Sequence, residues 1–211
     1  QAGSSINLFT DRNVNRVFPT EAVTQNMVGS TIPVEVTQGL TGYEMGDKLI
    51  TMDDIDQWRV GEVKEVDWPV SKEDVGMAIK GSEVSTSQYQ AANPIFIMLF
   101  GLAFSSLWVY MGKRNIEPST PVKFALGIFQ LGLAFGVLWW AADNHDWRGM
   151  VGMGWLLFAY LLITTGELCL SPVGLSMVTK LAPKSIVSMV MGAWFLATAF
   201  SNYLAALIAM F

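Results

Sequence analysis

The sequence predicts an all-α membrane protein that carries a small soluble insert of α+β character. Three observations predict it. Four apolar stretches, at about residues 87–111, 122–142, 150–180 and 186–211, are long enough to cross a bilayer as helices, which takes ~20 apolar residues. Charge is segregated: fourteen of the eighteen acidic residues lie before Val84, so the negative net charge of the chain, −5 in all, comes from its front part. From Gly149 to Thr179, Glu167 is the only charged residue.

Composition agrees. Hydrophobic residues make up 52% and charged residues 15%, where soluble domains carry about 25% charged residues. Neither half has the basic stripe of a nucleic-acid binder, so nucleic acid is excluded as a partner and the lipid bilayer is expected. The single cysteine, Cys169, makes no intrachain disulfide, and no cysteine–histidine spacing suggests a metal site. His145, in Asp143-Asn144-His145-Asp146, reads as part of a solvated loop. Gln1 is not an initiator and the apolar run continues to Phe211, so the chain reads as a fragment of something larger.

The small, polar Gln1–Leu8 reads as a loop on its own terms, closed by Asp11, Arg12 and Arg16. Residues 18–83 are soluble in character. Ile32-Pro33-Val34-Glu35-Val36 and Val60-Gly61-Glu62-Val63-Lys64-Glu65-Val66 alternate as half-buried strands do. Met52–Trp58 suits a short helix with Thr51 as its N-cap. Asp53, Asp54 and Asp56 then favour the positive end of that helix. They lack the glycine and closing glutamate of a calcium-binding loop.

Residues 84–211 hold the four spans. In the first, Asn93-Pro94 admits two readings. Asn93 is an N-cap with Pro94 as first helical residue, or the helix starts near Ser87 and contains a proline kink, which membrane helices tolerate. In the second span Gly132 and Gly136 have the spacing of a close helix contact. Trp139, Trp140, Trp147 and Trp155 surround the following link as an interfacial belt. The third span contains Glu167, with Pro172 five positions on. An intramembrane carboxylate costs about 2.5–3.5 kcal/mol on insertion scales and persists where it faces protein or a water-filled cavity. Pro183 marks a turn, Ser185 or Ser188 begins the fourth span, and Ala193, Ala197, Ser201, Ala205 and Ala209 form a small-residue stripe along it. Lys113, Arg114 and Lys123 flank one link and Lys180 and Lys184 another, against Arg148 alone between them. Positive residues mark the cytoplasmic side, so the insert faces outward.

GELCLSPVGLSMVTKLAP followed by MGAWFLATAFSNYLAALIA resembles the tenth and eleventh helices of the proton-dependent oligopeptide transporters. QAGSSINLFTDRNV resembles the end of their seventh helix and QYQAANPIFI the eighth. About seventy residues after Phe18 have no counterpart in that pattern. The resemblance implies part of the C-terminal six-helix half of a major facilitator fold. Residues 1–17 would then be the outer end of a truncated membrane helix, and the N-terminal six-helix half would be missing.

It further implies symport of di- and tripeptides with the proton as coupling ion and no other cofactor. It places the protein in the inner cell membrane as a multi-pass protein. By the same resemblance Glu167 pairs with the peptide's amino terminus, Asn93 hydrogen-bonds the peptide, Trp194 walls the pocket, and Ser171 is a weaker candidate near the proline. No catalytic residue or metal ligand is implied. A related carrier of another small solute and a membrane-anchored binding module are the alternatives. An intramembrane enzyme is disfavoured because Glu167 has only Cys169 near it, two residues away and on another side of a helix.

Overall fold

The computed structural model describes residues 2–208. The chain divides into two compact units: an α+β unit formed by Asp11–Gln88 and Ala141–Met153, and a helical unit formed by the rest.

The α+β unit is entered from helix α1 (Ala2–Asn13), whose last residues belong to it. Residues 14–17 are not helical: β1 (Val14–Asn15) pairs in parallel with β8 (Val151–Gly152), and β2 (Val17–Ala22) begins the insert one residue before Phe18. Val14 is fully buried in that pairing. The polar link between the second and third spans thus folds within this unit. There Asp146 accepts hydrogen bonds from the backbone N–H of Arg148 (2.9 Å) and Met150 (2.8 Å) and from the Arg148 guanidinium.

β2 pairs antiparallel with β7 (Ala78–Glu83), and β3 (Thr31–Glu35) with β6 (Glu65–Pro69). A short hairpin joins β4 (Glu44–Met45) to β5 (Lys48–Leu49). Val34 on β3 and Trp68 on β6 are fully buried among Leu40, Ile50, Ile55 and Met77, while their strand neighbours are more exposed. Gly81 is required by close approach, since a Cβ there would stand 2.7 Å from the carbonyl oxygen of Phe18.

Helix α2 (Met52–Val60) starts at Thr51, whose hydroxyl accepts from the Asp54 N–H while the Asp54 carboxylate accepts from the Thr51 N–H. The Val60–Val66 stretch, read from its alternation as a strand, is instead a helix end, a turn and only then β6. Glu62 N–H donates to the Arg59 carbonyl (3.0 Å) and Val63 N–H to the Trp58 carbonyl (2.9 Å), with Glu62 at φ 56°. That is a Schellman motif with glutamate in the left-handed position that glycine usually takes. Its glycine sits one residue early, at Gly61, which hid the helix end in the sequence.

Four helices of the helical unit are long and apolar enough to cross a membrane. α3 (Thr86–Gln90) runs into α4 (Ala92–Lys113), and α5 (Thr120–Asp143), α6 (Met153–Leu181) and α7 (Val187–Ile208) follow. The Asn93–Pro94 ambiguity resolves against the cap. Ala91 precedes α4, and Asn93 lies inside the helix. Pro94 has no N–H for the Gln90 carbonyl and its ring crowds that group, which is where α3 and α4 part.

The close helix contact falls elsewhere than expected. A Cβ on Gly132 or Gly136 would meet nothing within 4 Å, whereas Gly127 on α5 and Gly166 on α6 face each other backbone to backbone. The small stripe on α7 is exposed at Ala193, Ala197 and Ser201; the side chain of Ala205 and all of Ala209 lie outside the described residues.

Candidate functional site

The fully buried Thr164 hydroxyl on α6 reaches Asn93, one of the two polar residues that the sequence singled out in the spans, and through it Glu167. Its Oγ1 lies 2.6 Å from Asn93 Oδ1 and 2.8 Å from the Tyr160 carbonyl oxygen one turn back. Asn93 Nδ2, on α4, donates to Glu167 Oε2 at 3.3 Å. Thr164 and Glu167 are three residues apart, which places them on one helix face. That spacing was visible in the sequence, yet Thr164 passed unnoticed because a lone threonine in an apolar helix ordinarily bonds its own backbone.

The same face continues past Pro172. Ser171 follows Glu167 by four residues and is exposed, and Gly174 follows by seven. Trp194 on α7 does not reach Asn93 or Glu167. It packs over Gly174, where an added Cβ would stand 2.8 Å from its ring. The ring borders an apolar groove of about 340 Å³ shared with Phe124, Met177, Val178 and Val190. From Thr164 to Gly174 is ~15 Å along the helix axis. The arrangement is therefore a polar stripe on α6, with an amide–carboxylate pair at one end and an aromatic wall at the other. It offers an acceptor for an ammonium group and a donor for a carbonyl, and no nucleophile–base pair.

Glu167 has no ion-pair partner among the described residues. Other charged side chains in α4–α7 are Lys113, Lys123, Asp143 and Lys180, all near helix ends, and α7 has none over Val187–Ile208. Lys123 is held by Glu117 and by the ring of Trp108, 4.4 Å away.

A cleft of about 640 Å³ in the α+β unit, lined by Tyr43, Asp74 and Trp147 among others, contains none of the predicted site residues. Burial pushes the Tyr43 phenol above its ordinary pKa, and the nearby Arg148 guanidinium opposes that.

Residues 71–211 match the family model described as PTR2, POT family. The chain belongs to the POT family. Its relatives include an uncharacterized transporter, YclF, of Bacillus subtilis, 42% identical over 127 residues that cover 60% of this chain and 25% of YclF. The peptide transporter YePEPT of Yersinia enterocolitica is 40% identical over 62% of this chain and 26% of its own length. The dipeptide and tripeptide permease A of Serratia proteamaculans is 39% identical over 62% and 25%. Among solved structures, a peptide transporter POT in complex with sulfate superimposes with a TM-score of 0.51 at 40% identity, covering 57% of this chain and 24% of that one. This POT chain thus spans about a quarter of the length of the curated relatives it matches. Those relatives are named as transporters and permeases, so the family is one of transport and not of enzymes, and its four apolar helices are those of an integral membrane protein.

Proposed function

We propose that the complete protein is a proton-coupled symporter of di- and tripeptides in the inner cell membrane, and that this chain is part of its C-terminal six-helix half. The observation that carries the reading is the Asn93–Glu167 pair within the apolar spans. An ionised carboxylate pairs with an arriving peptide ammonium, whereas a protonated carboxyl offers that ammonium no charge. Substrate binding and proton release are thereby linked at one group. Asn93 supplies a neighbouring donor for the peptide backbone. Ser171, one turn further along the same face, contacts the bound peptide, and Trp194 walls the far end over Gly174. The missing N-terminal half supplies the rest of the cavity and the other side of the rocking motion. Relatives named as a peptide transporter and a dipeptide and tripeptide permease support a peptide substrate. The insert lies on the extracytoplasmic side.

The test is Glu167→Gln in the complete protein, reconstituted in vesicles under a proton gradient. The variant keeps size and hydrogen bonding but cannot become anionic. It should reach the membrane in normal amounts and fail to accumulate dialanine. An N-acetylated dipeptide should lose less affinity in the variant than in the parent. Accumulation against a gradient at the parent's level would reduce Glu167 to a packing carboxyl.

A further inference from the structure

Thr164, Asn93 and Glu167 form a chain of hydrogen-bonding groups whose polarity is reversible. We infer that Thr164 is a positioning residue that lets Asn93 present a donor to Glu167 when the carboxyl is ionised and an acceptor when it is protonated. The inference rests on the reading of Glu167 as the proton- and substrate-linked group.

In the observed arrangement the Thr164 hydroxyl proton serves Asn93 Oδ1 at 2.6 Å, which fixes the amide so that Nδ2 faces the Glu167 carboxylate. An ionised carboxylate only accepts hydrogen bonds, so this polarity satisfies it. A protonated carboxyl has a proton to donate, and the facing Nδ2 cannot take it. Turning the amide over solves the conflict. Asn93 Oδ1 then accepts from Glu167, Nδ2 donates to Thr164 Oγ1, and the Thr164 hydroxyl proton swings to the Tyr160 carbonyl, already 2.8 Å away. No proton leaves the chain in the turn except the one that Glu167 gains or loses.

A hydroxyl is the side-chain group able to serve at that inner end, because it donates and accepts at a single atom. Thr164 is fully buried, so solvent does not stand in for it at its own surface. Other groups that bear on Glu167 are few. Cys169 and Tyr160 share its helix. No lysine or arginine pairs with it among the described residues; Lys123, at the start of α5, acts on Cys169 two residues along α6 and is held by Glu117, and beyond it neither α5 as far as Ala142 nor α7 over Val187–Ile208 carries a charged side chain. The ordinary alternative is that Thr164 merely bonds back to its own helix, as threonine in helices does. That role needs no Asn93.

The experiment is an infrared titration of the complete protein in lipid nanodiscs, following the protonated-carboxyl band assigned to Glu167 by its loss in Glu167→Gln. Thr164→Val keeps shape and removes the hydroxyl. The ionised carboxylate then loses a donor held in place by the chain, so the proton should bind about threefold more tightly or more. Thr164→Ser should titrate as the parent does. In an Asn93→Ala background Thr164→Val should add nothing, because the chain is already cut. If Thr164→Val does not fold, Thr164→Ala removes the same hydroxyl with a smaller side chain. An unmoved band in the hydroxyl-free variants, a serine variant that behaves like valine, or an equal displacement with and without Asn93 would each overturn the inference. The readout needs no transport. Parent-like uptake by Glu167→Gln would therefore sink the transport reading while leaving this titration interpretable.

Discussion

Gly127 and Gly166 hold α5 and α6 in backbone contact: a Cβ added to either would stand 2.9 Å from the other's carbonyl oxygen. At Gly166 the nearest obstacle is this main-chain oxygen, which cannot swing aside; at Gly127 the Leu170 side chain stands nearer still, at 2.5 Å. Gly166→Ala should therefore push the two helices apart and displace its neighbour Glu167. Overpacking of this kind costs about 1–3 kcal/mol, and thermal unfolding of the detergent-solubilised protein should register it. Gly132→Ala on the same helix as Gly127 meets open space and should be neutral or better, because alanine is the stronger helix former. Equal behaviour of the two variants would show that the Gly127–Gly166 approach is not needed.

Arg16 is 3% exposed and is engaged by Asp11 at 2.8 Å, Glu83 at 3.1 Å and the Val84 carbonyl at 3.0 Å. It ties together the two strands of chain through which the insert is entered and left. Glu83 also takes Arg59 and the Gln38 backbone N–H, so one carboxylate serves three donors. Removing one partner of a buried ion pair costs about 3–5 kcal/mol because the other is left uncompensated. Glu83 keeps Arg59, which places Arg16→Met near the lower end. Limited proteolysis should then open the α+β unit of the variant well before that of the parent. Equal protease resistance would show that the clasp adds nothing.

Much of this organisation was legible from the sequence, and for identifiable reasons. Apolar runs of bilayer length declare themselves by composition, and Glu167 stood out because nothing else between Gly149 and Thr179 is charged. Thr51 was readable as a cap because capping acts over three residues. What escaped depends on contacts between distant segments. Glycine spacing along α5 pointed to Gly132 and Gly136, yet spacing on one helix does not say which face meets the next, and Gly127 does. Val60–Val66 alternates like a strand, but Glu62 takes a left-handed backbone that its side chain does not advertise. The parallel pairing of Val14 with Val151 joins segments 137 positions apart (151 − 14), and no local pattern encodes it. Thr164 was the one miss with a usable signal, its three-residue spacing from Glu167.

Acid should loosen the start of α2 at an unusually low pH. Lys48 bonds the Asp54 carboxylate, and Thr51 adds two hydrogen bonds, which together bring the Asp54 pKa down to about 2. A folded-state pKa below the unfolded value, ~3.9 for aspartate, means that the stabilisation is fully present above that value. It is lost as pH falls through the folded one. Between those limits the parent should lose thermal stability more steeply than Asp54→Asn, which has no proton to gain there. Parallel melting-temperature profiles for the two proteins would show that the cap charge does not contribute.

The insert should be removable. Pro19 and Gly81 are register partners on β2 and β7, as are Phe18 and Ser82, so the chain leaves for the insert and returns from it side by side. Opposed residues on antiparallel strands are ~5 Å apart at Cα, a gap that a two-residue Asn-Gly turn closes. Replacing residues 20–80 by such a turn keeps Arg16, Asp11 and Glu83, and therefore most of the clasp at the base. It removes the whole buried cluster around Trp68 and leaves none of it half-exposed. The proposed peptide-binding residues Asn93, Glu167, Ser171 and Trp194 all lie in α4, α6 and α7 and are untouched. The shortened protein should reach the membrane and retain appreciable dialanine uptake. The outward orientation of the insert is checked on the uncut protein: a cysteine at Ser71 should react with an impermeant thiol reagent in intact cells whose outer layers are permeabilised, and one at Ser119 only after membrane disruption. Normal membrane levels with complete loss of uptake would show instead that the insert gates the cavity or handles substrate directly.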